Sequence, residues 1–214
     1  TIGHTKATML DIRRVAAYGA RHFVHANNAI DWPGRQKNAS GWLSTEMMGM
    51  GTLLSHSAFS GEIISDGYHV PLEMIRVILA ACGTDRIAIV SDACPAAGCE
   101  PGDYVQGGMK IILKQNRLVI SGGGSMDGVP PLGGSATPQL AMIKNYVDWG
   151  FGLTTPLKMS TLVPARIIGE PKKGLLRAGN DADLILIDDK VDLYATIVQG
   201  KVVHAVKKSP IRGF

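Results

Sequence analysis

In Arg86-Ile87-Ala88-Ile89-Val90-Ser91-Asp92 an unbroken apolar run, Ile87-Ala88-Ile89-Val90, ends on a serine and a carboxylate. A run without polar alternation is how a strand buried on both faces reads, and such strands belong to parallel sheets. Upstream, Pro71 starts a helix through Ala81, with proline where no intrahelical donor is needed. Before that helix lies a short apolar strand, Glu62–Ser65. Further back, Arg21–His25 reads as another strand. It follows a helix capped by Thr8, with Asp11 in its first turn, Ile12, Val15, Ala16 and Ala20 at helical spacing, and Gly19 near its stop. Residues 1–92 thus repeat strand, loop, helix, which favours a parallel α/β sheet or barrel. His4, His25 and Asp92 fall at the C-terminal ends of strands, and His69 just beyond one. In a (β/α) barrel that end carries the active site.

Downstream the rhythm changes. Tyr104–Gln106, Met109–Leu113 and Arg117–Ile120, with turns at Gly107-Gly108 and Gln115-Asn116, predict a β-hairpin insertion near 100–120. A Gly/Pro loop follows, then a helix over Thr137–Trp149 and another over Pro156–Gly169 with a bend at Pro164. From Gly174 the chain turns to strands: Ala182–Ile187, Ala195–Gln199 and Val202–Ala205. A boundary near residue 171 divides the chain into 1–171 and 172–214. Residues 26–61 are expected to hold a functional loop and a helix over Thr45–Leu54, with Met47, Met48 and Met50 as packing.

The 214 residues carry 45% apolar and 19% charged side chains, a globular composition. Gly is frequent at 26 residues and aromatics are scarce at 6%, which suits an enzyme with tight loops near ligands. The net charge of +4 is scattered, with no basic stripe interleaved with aromatics, so nucleic acid is not an expected partner. No stretch reaches the roughly 20 apolar residues of a membrane span, so no membrane partner is expected either. Cys82, Cys94 and Cys99 are odd in number and form no CxxC pair, which fits reduced thiols in a cytoplasmic protein. The chain opens at Thr1 with His4 close behind. Termini fray and are poor places for a rigid site, so either the site is not at His4 or the chain is a piece of a longer polypeptide.

His4 and His25 stand 21 residues apart, about one strand-plus-helix unit. That spacing would put two imidazoles at one height on neighbouring strands, a natural pair of metal ligands; two ordinary core histidines would show it equally. Asp92 ends a buried strand, where a carboxylate is costly without a cation or proton donor. Ala93-Cys94-Pro95 does not resemble a helix start, which argues against a simple cap and for a general base beside a metal. His69 in Asp66-Gly67-Tyr68-His69 reads equally as a substrate contact or a loop histidine. Asn28-Ala29 and Gly34-Arg35 could hold a phosphate through backbone N–H groups and a guanidinium, or be polar surface loop. Leu132-Gly133-Gly134-Ser135 precedes a helix whose start could face an anion or a sugar hydroxyl.

Taken together, Gly3-His4-Thr5, Phe23-Val24-His25-Ala26-Asn27-Asn28-Ala29, Gly34-Arg35, Ser65-Asp66-Gly67-Tyr68-His69 and Ile89-Val90-Ser91-Asp92-Ala93 resemble the N-acetylglucosamine-6-phosphate deacetylases, a family of amidohydrolases. Thr161–Gly169 and Gly174–Leu184 are similar to the closing helix and returning β-sandwich strand of that superfamily. The resemblance implies the C-terminal half of a (β/α)8 TIM-like barrel with a small C-terminal β-sandwich portion. It implies a divalent metal, zinc first and iron second, held in part by His4 and His25, with Asp92 as catalytic acid/base. Asn28, the Ala29 backbone and Arg35 match positions that hold the sugar phosphate, the Arg reaching across a homodimer; His69 matches a substrate contact and Ser135 lies near the sugar pocket. Family members carry about as much chain again upstream, including a metal-binding Glu that nothing here obviously replaces. Two further readings are open: another amidohydrolase acting on N-acetylgalactosamine 6-phosphate or a cyclic amide, and a non-catalytic piece that self-associates.

Overall fold

The computed structural model describes residues 1–5, 7, 9–26, 36–37, 43–44, 55–115, 119–121 and 131–206. Its centre is a parallel sheet built in chain order. Strand β1 (His22–Phe23) is followed by a short antiparallel pair, β2 (Gln36–Lys37) and β3 (Leu43–Ser44), inside the segment expected to be loop. The expected Thr45–Leu54 helix and the methionines Met47, Met48 and Met50 lie outside the described residues. Strand β4 (Ser60–Ile64) pairs in parallel with β1 on one side and with β5 (Ile87–Val90) on the other. Parallel bridges extend the sheet at both ends, from Ile2 to Phe23 and from Ala93 to Ser135.

Helices pack on one face of this sheet because their apolar residues recur every three or four positions. Helix α1 (Met9–Ala17) buries Ile12, and α2 (Leu72–Cys82) buries Ile75, Ile78 and Leu79. These join Phe23, Ile63, Ile87 and Ile89 in one core cluster. Each such aliphatic side chain contributes about 1.5–3 kcal/mol by leaving water. Pro71 in an extended conformation opens α2, and Gly83, with φ +69°, closes it by donating its N–H to Leu79 O at 2.9 Å.

Strand ends leave carbonyls without ladder partners, and helix α3 (Gln139–Asp148) supplies them. Gln139 Nε2 donates to Ile89 O at 2.7 Å and Asn145 Nδ2 to Ser65 O at 2.9 Å. The buried Tyr146 hydroxyl accepts from Ser65 Oγ at 3.1 Å, and burial pushes its phenol up to about 12.

The insertion is an antiparallel sheet of β6 (Gly102–Gln106), β7 (Met109–Leu113) and β8 (Val119–Ser121). Gly107 and Gly108 both take positive φ in its first turn, as a tight hairpin with right-handed strands requires. Ile111, Leu113 and Val119 form a second core cluster with Cys94, Ala96 and Ala136. That cluster anchors the chain on either side of the Ala93–Ser135 bridge.

The second predicted helix is two helices, α4 (Thr154–Ser160) and α5 (Leu162–Ile167). The break falls at Thr161 (φ −129°, ψ −77°), not at Pro164. Proline cannot donate to the carbonyl four residues back and clashes with it, so the helix must stop upstream; Pro164 then sits in the first turn of α5, where no donor is required. The C-terminal strands β9 (Leu184–Ile187), β10 (Leu193–Val198) and β11 (Lys201–Ala205) form one antiparallel sheet with β10 central. Cys82, Cys94 and Cys99 are free thiols.

Candidate active site at the strand ends

Register fixes the relation of the two leading histidines. Ile2 bridges Phe23, and His4 and His25 each follow two residues later. Their rings meet edge to face with centroids 4.5 Å apart. Gly3 makes this approach possible: a Cβ there would lie 2.0 Å from Val24 Cγ2 and 3.8 Å from His25 Cε1. His4 is exposed, whereas His25 is only 7% exposed. Its Nδ1 is buried without a hydrogen-bond partner. An orphaned buried nitrogen costs about 1–3 kcal/mol, so it calls for a ligand.

Asp92 lies two residues beyond the end of β5, with β4 between that strand and β1. Two strand spacings are about 10 Å, so Asp92 is not beside the imidazole pair in the sheet. Among the described residues, no group of three or more His, Cys, Asp and Glu side chains converges on a cation-sized gap. The structure therefore brings the two histidines together and leaves the Asp92 carboxylate exposed at the same end of the sheet.

The backbone singles out the same residues. Among the described residues, the non-glycine positions with positive φ are His4 (44°), His25 (30°), Asp92 (46°), Val191 and Gln199. Left-handed backbone costs a residue with a Cβ roughly 1–2 kcal/mol, and such strain gathers where a side chain must be aimed. Three of the five are the candidate chemical residues.

Ser135 docks directly on Asp92. Its N–H donates to Asp92 O at 3.0 Å, and its carbonyl accepts from Cys94 N at 2.9 Å. The Ser135 hydroxyl is buried and accepts from Thr137 N at 3.1 Å, which tightens the turn into α3. Gly134 permits this contact, since a Cβ there would meet Asp92 O and Cys94 Cβ at 3.2 Å, in a backbone with φ +83°.

His69 has a partner that the sequence reading passed over. Its Nδ1 lies 2.7 Å from Asp66 Oδ2, with both side chains 2% exposed. Asp66 Oδ1 also accepts the N–H groups of Tyr68 (2.9 Å) and His69 (3.0 Å). Burial pushes the Asp66 carboxyl up, but the His69 ring, these two N–H groups and the nearby histidine charge together bring it below its ordinary value. An Asp followed by glycine and a residue three places on is an Asx-turn signal, and it could have pointed to this pair. His22 and Glu62 were also missed, because one lies within a strand and the other opens one in the sequence reading. Asn28, Ala29 and Arg35 lie outside the described residues.

A parallel sheet with helices on one face, and aimed histidines and a carboxylate at its C-terminal rim, places the chain in the class of α/β proteins whose sites stand on strand ends. The profile of the amidohydrolase family matches residues 54–203, and the chain belongs to that family. It is 28% identical over 98% of its length to an N-acetylglucosamine-6-phosphate deacetylase of Vibrio furnissii, covering 49% of that protein. It is also 28% identical to an N-acetylgalactosamine-6-phosphate deacetylase of Escherichia coli, over 94% of this chain and 49% of that one. The crystal structure of the N-acetylglucosamine-6-phosphate deacetylase from Pasteurella multocida superposes with a TM-score of 0.80 at 28% identity, over 95% of this chain and 50% of that chain. The chain spans about half the length of the curated relatives it matches.

Proposed function

We propose that this chain carries the catalytic half of a metal-dependent deacetylase that hydrolyses the acetamide of N-acetylglucosamine 6-phosphate to glucosamine 6-phosphate and acetate. The observation that carries the reading is the His4–His25 pair, with the orphaned Nδ1 of His25. Two adjacent imidazoles fit part of the shell of a divalent cation, zinc before iron. Ligands beyond these two come from outside the described residues. When bound, the cation supplies Lewis-acid polarisation of the amide and a more acidic water.

Asp92, on the same rim, accepts the proton of the attacking water and returns it to the departing nitrogen. His69, oriented by Asp66, hydrogen-bonds the sugar, and Ser135 lines the pocket beside Asp92. Asn28, the Ala29 backbone and Arg35 hold the phosphate, with Arg35 reaching across a homodimer. In this reading residues 1–171 are part of a (β/α)8 barrel with the hairpin insertion, and 172–214 contribute to a small β-sandwich. The setting is the cytoplasm, with no nucleic-acid or membrane partner; among the described residues no helix is long and apolar enough to cross a membrane.

The test is release of acetate and free amine from N-acetylglucosamine 6-phosphate by the native full-length polypeptide, before and after chelation and zinc re-addition. Activity should vanish with the metal and return with it. Asp92→Asn should lower kcat by about 10²–10⁴, and unchanged turnover in that variant would refute the role given to Asp92. Arg35→Ala should raise KM for the phosphosugar and leave a non-phosphorylated one unaffected. Faster hydrolysis of the galactosamine epimer would transfer the assignment to that substrate.

A further inference from the structure

Helix α3 lays two consecutive side chains on one residue of the rim. Ser65 stands one residue past β4 and is 0% exposed. Asn145 Nδ2 donates to the Ser65 carbonyl at 2.9 Å, and the Ser65 hydroxyl donates to the Tyr146 hydroxyl at 3.1 Å. Water cannot take the place of Asn145 on a carbonyl buried this fully. The next residue is Asp66, whose carboxylate gathers the Tyr68 and His69 N–H groups and the His69 ring into one turn. The far end of that turn is tied down by Val70, buried in the main core. Its near end is the Ser65–Asp66 peptide.

A peptide is planar, so the Ser65 oxygen, the Asp66 nitrogen and the Asp66 Cα move together. By holding that oxygen, the Asn145 amide sets the plane from which the Asp66 side chain departs. Asp66 then carries the His69 ring through a 2.7 Å contact between side chains that are each 2% exposed. The same helix also holds β5, through Gln139 Nε2 and Ile89 O at 2.7 Å, three residues before Asp92. One rod thus gives a common reference to the turn that bears His69 and the strand that leads to Asp92. We infer that Asn145 is a positioning residue: it fixes the Ser65–Asp66 peptide and, through Asp66, the orientation in which the His69 ring meets the substrate. The inference rests on the reading of His69 as a sugar contact.

The experiment is a double-mutant cycle on the native full-length polypeptide, with kcat/KM for N-acetylglucosamine 6-phosphate, the ring-nitrogen NMR signals of His69 and the melting temperature as readouts. Asn145→Ala should lower kcat/KM about tenfold, the effect of one lost buried hydrogen bond, and shift the His69 signals. Asn145→Ser, whose shorter hydroxyl reaches Ser65 O only through a water, should fall between the two. It also decides the matter if the alanine variant does not fold. In a His69→Ala background the same Asn145 change should cost nothing further, because both act through one ring. A second tenfold loss in that background would show that Asn145 acts elsewhere and would overturn the inference. Tyr146→Phe removes only the contact on the Ser65 hydroxyl, so it should lower the melting temperature and keep parental kcat/KM; an equal loss of kcat/KM would reduce Asn145 to general packing around Ser65. A merely structural Asn145 would lower the melting temperature while the His69 signals and kcat/KM stay parental, and that result too would sink the inference. Parental kcat/KM in His69→Ala, with His69 signals that still move in Asn145→Ala, would remove the sugar contact and uphold the grip on the ring.

Discussion

Asp66 takes three hydrogen bonds from one short turn, and the partner it fixes most consequentially is the His69 ring, 2.7 Å away. A carboxylate at Oδ2 requires a proton on Nδ1, so in the neutral ring Nε2 is an acceptor. Asp66→Asn can keep Oδ1 for the two backbone N–H groups, but then turns an amide N–H toward Nδ1. The ring proton moves to Nε2, which becomes a donor. If His69 contacts the sugar, kcat/KM should fall at least about tenfold, the size expected when a buried hydrogen bond meets the wrong partner; ring-nitrogen NMR would show the tautomer change directly. The same variant has a signature in pH. Asp66 is held below its ordinary value, so its contribution to stability is complete above about pH 4 and fades as pH falls through the lower folded-state value. The gap in melting temperature between parent and Asp66→Asn should therefore narrow as pH falls from 5 toward 2; a gap that widens would contradict this account of the hydrogen-bonded carboxylate. Gly3 allows a separate check on the metal pair. Val24 is β-branched and stiff, and a methyl at residue 3 would overlap its Cγ2. Gly3→Ala should push the Val24–His25 turn outward and reduce zinc affinity, with little change in melting temperature because the site lies on the rim.

At the scale of elements, the strands and helices were legible wherever periodicity was strong. β4, β5, α2 and the insertion hairpin fall within two residues of their predicted places, because buried Ile and Val runs and paired glycines speak locally. The break in the second helix was misplaced because proline marks a helix start as readily as an end, and only tertiary context says which. That context is Gly174. In its left-handed backbone (φ +80°), an added Cβ would lie 2.6 Å from Thr161 O and 2.7 Å from Leu162 Cα, which is the break itself. Gly174→Ala should destabilise the fold by about 2 kcal/mol or more, from backbone strain and overpacking together, read as a fall in denaturation midpoint. The same distinction explains the site. The spacing of His4 and His25 foretold their meeting, since strand–helix units have a characteristic length. The Glu62–His22 and Asp66–His69 pairs were not foreseen as pairs, because contacts across strands and within turns depend on register that no local pattern records.

At the scale of the molecule, the sheet formed by the described residues does not close on itself. Its crossing order runs from Ile2 through β1, β4 and β5 to Ser135, and the two ends are not paired to each other among the described residues. Open parallel edges offer unpaired N–H and C=O groups, and parallel sheets elsewhere are covered on both faces. Apolar surface is also left over: Leu10 on α1 is 56% exposed, Val77 on α2 51% and Val203 on β11 61%. Single exposed apolar residues need no explanation, but open edges together with exposed aliphatics on the helices and the C-terminal sheet call for a cover. Two covers are available, a further stretch of the same polypeptide or a second copy of this chain, and the relatives' twofold greater length favours the first. The 22.7 kDa chain produced by itself should therefore run above its own mass in light scattering, or precipitate. Co-expression with the segment corresponding to the relatives' other half should return a monodisperse species with zinc bound tightly. A stable 22.7 kDa monomer, folded and free of self-association, would show that the exposed edges need no cover and would remove the case for a divided barrel.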